Sequence, residues 1–93
     1  MATVRSVERR IEKIEGFPVV IRHLDGRNVR DDRTRMPHYP FDRAMKSASN
    51  VKQWRERRFY AIYPGFEVDV IGRDRLPKHG GTRLGSVRDE FLG

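Results

Sequence analysis

Val4, Val7, Ile11 and Ile14 recur at spacings of three, four and three, which puts them on one helical stripe with charged residues between. The spacing predicts a helix over residues 3–15, capped by Thr3 or Ser6, ended by Gly16 and kept from continuing by Pro18. Phe17 to Leu24 is a dense apolar run broken by Arg22 and His23, and it reads as a strand. Asp25-Gly26 suits a two-residue turn with positive φ at both positions, and Arg27 to Arg30, around Val29, would be the short returning strand.

Between Asp31 and Ser49 the pattern weakens. Pro37 and Pro40 bracket His38 and Tyr39, and Phe41 with Met45 would pack from a single helical turn. Residues 31–49 are expected to form a long connecting loop lying on the core through Met36, Tyr39, Phe41 and Met45. Periodicity returns at Asn50, a good N-cap, with Gln53 completing a capping box. Val51, Trp54, Arg55, Arg58, Ala61 and Ile62 then follow helical spacing over residues 50–62, and Pro64-Gly65 ends the helix. Phe66, Val68 and Val70 alternate with Glu67 and Asp69, the period of a half-buried strand.

The remainder is punctuated by a turn over residues 72–76, a Gly-rich loop over 77–81 and a short fourth strand at Thr82 to Leu84. Ser86 then caps a short C-terminal helix, with Asp89 at its third position and Val87 one turn from Phe91. Together the elements predict a small α+β fold. Its three- or four-stranded, mainly antiparallel sheet carries the two main helices on one face. The expected core is Val7, Ile11, Ile14, Phe17, Val19, Ile21, Leu24, Val51, Trp54, Ile62, Phe66, Val68, Val70 and Leu84. The stretch from Gly16 to Ile21 echoes that from Gly65 to Val70, as expected where a glycine ends a helix and a strand follows directly.

Composition narrows this picture. Ninety-three residues suit a single domain spanning 1–93, which buries about 60–65% of its unfolded surface. Without cysteine there are no disulfides and no thiolate metal sites. The N-terminal segment does not resemble a signal peptide and no stretch reaches the roughly 20 apolar residues of a membrane span, so a cytoplasmic protein with no membrane partner is expected. A formal net charge of +7 is large for so small a chain and raises the local concentration of polyanions.

Candidate chemistry is sparse. His23, His38 and His79 form no close pair, Gly-x-Ser-x-Gly is absent, and Gly80-Gly81-Thr82-Arg83 lacks the rest of a phosphate-loop pattern. The expectation is no enzyme, no metal and no cofactor. Lys52, Arg55, Arg57 and Arg58 fall within seven residues beside Trp54, Phe59, Tyr60 and Tyr63, so phosphates would meet guanidinium forks and unpaired bases would meet rings. A second group, Arg27, Arg30, Arg33 and Arg35, would extend that surface if the two converge.

The resulting expectation is a non-catalytic basic domain that binds nucleic acid, DNA or RNA. Lys52, Arg55, Arg57 and Arg58 carry the binding, extended by Arg27, Arg30 and Arg35. The alternative is a protein-interaction module or homodimer using a sheet edge or the Met36–Met45 segment, suited to a mobile-element or phage accessory protein.

Overall fold

The computed structural model describes residues 2–30 and 33–92. Helix α1 (Val4–Glu15) starts from Thr3, whose Oγ1 accepts the Ser6 N–H at 3.1 Å while Ser6 Oγ accepts the Thr3 N–H at 3.0 Å. Gly16 closes it in the left-handed region at φ 84°, a conformation that costs glycine little. Strand β1 (Val19–His23) pairs antiparallel with β2 (Phe66–Val70), in a register running from Val19 opposite Val70 to His23 opposite Phe66. Between the strands lies helix α2, residues 51–62, and after them the short α3 (Leu84–Asp89). Val19, Ile21, Val68 and Val70 face the core, while Val20, Arg22, Glu67 and Asp69 form the half-exposed opposite face.

The sheet therefore has two strands instead of three or four. The outward N–H of His23 bonds the Arg27 carbonyl at 2.8 Å and Arg22 bridges Asn28, but the next outward donor, Ile21 N–H, is taken by the Glu8 carboxylate at 2.8 Å. A side chain of α1 thus occupies the position that a third strand needs. The turn is also one residue longer than expected. Only Gly26 has positive φ, so Leu24 belongs to the loop and points to solvent at 67% exposure. Thr82 to Leu84 makes a single bridge, Arg83 with Asn50, because Leu84 already opens α3.

Helix α3 begins two residues before the expected cap at Ser86. Its first N–H groups, on Leu84 and Gly85, bond the Ser49 and Ser47 carbonyls at 2.8 and 3.0 Å, so backbone does the capping. The backbones approach closely there: a Cβ on Gly85 would stand 3.0 Å from that of Ser47, so a larger residue would require Ser47 to shift by a few tenths of an ångström. Phe91, expected on the same face as Val87, is 41% exposed.

Helix α2 carries the asparagine capping box as expected, with Asn50 Oδ1 accepting from Gln53 at 2.8 Å. Its interior departs from an α-helix. Val51–Trp54 is α-helical, Arg55–Phe59 is π-helical with the Tyr60 N–H bonded to the Arg55 carbonyl, and Tyr60–Ile62 is α-helical again. The buried positions are Val51, Trp54, Phe59 and Tyr63, at steps of three, five and four. A five-residue step overshoots an α turn but closes a π turn. Ala61 is consequently exposed and Ile62 only half-buried.

The loop from 33 to 49 lies on the core through buried Met36 and Tyr39 and half-buried Phe41 and Met45, but the expected helical turn at Phe41–Met45 does not form. One cluster of charge pins it. Glu15 continues the α1 stripe of Val4, Val7 and Ile11, and its carboxylate is fully buried. Oε1 accepts from the Met45 N–H at 2.9 Å and Arg88 at 3.3 Å, and Oε2 from the Tyr39 hydroxyl at 2.5 Å and Arg58 at 2.6 Å. The Tyr39 oxygen in turn accepts from Trp54 Nε1 at 3.1 Å. Arg88 also bonds the Glu15 carbonyl at 2.5 Å, satisfying an otherwise orphaned acceptor at the end of α1.

Glu15→Gln should lower the unfolding free energy by roughly 3–5 kcal/mol, because two partly buried guanidinium groups lose the buried carboxylate that pairs with them both. A domain this size commonly has roughly 5–14 kcal/mol in total, so urea titration should show a large fall in midpoint. The tyrosines supply a second check. Burial raises all three phenols; a bond to Glu15 adds to this in Tyr39, and in Tyr60 a bond to Glu67 helps push the value up to about 12. Their stabilising contribution is complete below pH ~10 and is lost as pH rises through the raised values. Phenolate absorbance should therefore stay low past pH 10 and rise together with loss of helical circular dichroism.

Candidate nucleic-acid interface

The seven arginine and lysine candidates fall into different environments. The π turn directs Arg58 inward, where Nη1 donates to Glu15 Oε2 and to the Arg43 carbonyl, both at 2.6 Å. Its guanidinium also lies 4.4 Å from the Phe41 ring centroid, and its side chain is only 16% exposed. Arg58 thus holds the fold and sits beneath the surface that its neighbours present.

Lys52 and Arg55 line a groove with Glu56, Tyr60 and Glu67, where two carboxylates stand beside the two cations. The Lys52 N–H bonds the Gly80 carbonyl at 2.9 Å, which brings the Gly-rich loop against this face of the helix. That loop offers no phosphate cradle at Gly81 and Thr82, whose N–H groups bond His79 Nδ1 and the His79 carbonyl, each at 3.0 Å. Arg57 is exposed.

In the second group, Arg27 pairs with Asp25 at 2.6 Å, an exposed contact worth about 0.2–1 kcal/mol. Pairing of Arg27 or Arg30 with Asp31 or Asp32 lies outside the described residues. Arg30 is exposed, and Arg35 is exposed at φ 65°, ahead of a two-way backbone pair between Met36 and Ala2 at 3.0 Å. Arg30 and the helix cations Lys52 and Arg55 line separate grooves.

The aromatic half of the expectation changes as well. Trp54, Phe59 and Tyr63 are buried against one another and against Phe17, and the Tyr60 hydroxyl bonds Glu67 at 2.6 Å. The three buried rings present no face to a base. What remains at this surface is charge.

That charge is concentrated. Residues 33–58 hold eight cations and two carboxylates, a net +6 of the +7 carried by the whole chain. Arg33, Arg35, Arg43, Lys46, Lys52 and Arg57 within this span are all exposed. The bond from Arg58 to the Arg43 carbonyl lays the loop beside the helical turn carrying Arg57. Arg43 and Lys46 escaped the motif reading, because it treated their loop as apolar; a running charge count would have found them.

Among the described residues no group of three or more His, Asp and Glu side chains is arranged to hold a metal ion, and no helix is long and apolar enough to cross a membrane. Comparison with protein-family models, curated proteins and solved structures finds no match to this chain.

Arg57→Gln and Arg58→Gln, one residue apart, should behave oppositely in thermal melts. Arg57→Gln should change stability by less than ~0.5 kcal/mol, as surface substitutions do. Arg58→Gln should cost roughly 3–5 kcal/mol, because it leaves part of a buried carboxylate without its partner.

Proposed function

We propose that this chain is a non-catalytic nucleic-acid-binding domain that holds phosphates on the face made by residues 33–49 and helix α2. The observation that carries the reading is the confinement of nearly all the excess positive charge to residues 33–58, with six of those cations exposed. Arginine forks grip phosphate oxygens in pairs, and a loop pinned by backbone and buried ion pairs presents them with little ordering left to do on binding. With Trp54, Phe59 and Tyr63 in the core, recognition by α2 rests on the sugar-phosphate backbone, so binding is salt-dependent and reads little sequence.

The test is a salt titration of binding to labelled single-stranded and duplex oligonucleotides, with wild type and the Arg43→Gln, Lys46→Gln, Arg57→Gln triple variant. The wild-type log–log slope counts phosphates neutralised, and each contact removed should lower it by about one. The triple variant should melt like wild type yet bind more weakly and with a shallower slope. Equal affinity and slope in the two proteins would remove the proposed face.

A further inference from the structure

We propose that the face made by residues 33–49 and helix α2 takes a double helix in preference to a single strand. The inference rests on the nucleic-acid reading above and adds the form of its ligand.

Proteins that hold single strands combine cations with aromatic rings on which successive unpaired bases stack. This chain has five Phe, three Tyr and one Trp. Phe17, Tyr39, Trp54, Phe59 and Tyr63 are buried, and Phe41, Tyr60 and Phe66 pack half-buried against the core. Phe41 has the Tyr39 ring edge-on at 5.1 Å and the Arg58 guanidinium at 4.4 Å. Tyr60 meets Phe59 edge-on at 5.8 Å and bonds Glu67, and Phe66 lies under the Arg33 guanidinium at 5.1 Å. The ninth ring, Phe91, is 41% exposed, but it follows Asp89 and Glu90, which line a groove with Arg73 and Asp74. Three carboxylates to one guanidinium repel a phosphate there. A strand laid on the cations therefore finds no row of rings for its bases.

Without stacking, charge density decides. A double helix presents a phosphate for roughly every 1.7 Å of its axis, twice what one of its strands supplies. Arg35, Arg43, Lys46, Lys52 and Arg57 are exposed on the proposed face, and the loop carrying the first three is fixed before a ligand arrives. Arg58 holds the Arg43 carbonyl at 2.6 Å, and Glu15 holds the Met45 N–H at 2.9 Å. The Ser47 and Ser49 carbonyls are held by the Gly85 and Leu84 N–H groups. Fixed cations suit fixed phosphates: a stiff double helix keeps its spacing, whereas a flexible strand has first to be ordered.

Helix α1 supplies an internal control. Arg5, Arg9 and Lys13 are exposed as well, but Arg5 and Arg9 share their groove with Glu8 and Glu12. Removing three charges there changes the net charge as much as removing three from the proposed face.

The experiment is an anisotropy titration, at one salt concentration, of a short labelled DNA duplex, the matching RNA duplex and their separated strands. Wild type should bind duplex at least tenfold tighter than either of its strands. That preference in DNA alone or in RNA alone identifies the source of the ligand; in both, it shows that the shared double-stranded charge is what is held. The Arg43→Gln, Lys46→Gln, Arg57→Gln variant should lose most of the preference, and the Arg5→Gln, Arg9→Gln, Lys13→Gln variant should keep it. Single strands bound as tightly as duplex by wild type would overturn the inference and leave the nucleic-acid reading standing. Equal losses in the two variants would overturn it too, since the preference would then come from net charge and not from this face. A protein that binds neither duplex nor strand would remove the nucleic-acid reading and this inference with it.

Discussion

The Glu15 carboxylate is the constraint on which the rest of this structure depends. Its two oxygens gather donors from the 33–49 loop, α2 and α3, while its own backbone ends α1. Burying a carboxylate is expensive, and the cost is offset only when each oxygen is well bonded and the charge is answered. Both conditions hold, with Arg58 and Arg88 further packed over Phe41 and Phe17. Burial pulls the Arg88 guanidinium below its ordinary value while Glu15 pulls the other way, so attraction and desolvation compete at this site.

The π turn in α2 follows from the same requirement. An uninterrupted α-helix from Val51 would not bring Trp54 and Phe59 onto one face; one wider turn does, and it leaves Arg58 pointing at Glu15. The loop is then held from both sides, by Arg58 on the Arg43 carbonyl and by Arg10, whose Nε donates to the Tyr39 carbonyl at 2.8 Å. A segment with almost no secondary structure thereby becomes a defined wall of the molecule.

Surface function follows from how charge is divided between inside and outside. Arg58 and Arg88 are consumed internally and Lys78 is tied to Glu90 at 2.8 Å, holding that carboxyl below its usual range. The cations left outside on residues 33–58 have few carboxylates among them, so the excess positive charge lies on the loop as much as on the helix. The apolar residues of that loop, which had suggested a protein-interaction surface, pack largely inward.

Local rules carried much of the fold in the sequence alone. The capping box at Asn50, a cap at the start of α1, the glycine after it, the two strands and most of the core could be read from spacing, because each depends on neighbours within one turn or on strand alternation. Nothing local announces that Glu8 closes the edge of β1, that Leu84 opens a helix from carbonyls more than thirty residues away, or that α2 takes a π turn. For the site, the sequence determined the charge and its density. Tertiary structure decided which cations face water: a guanidinium on a helix looks the same in sequence whether it meets solvent or a buried carboxylate more than forty residues away, as Arg58 does.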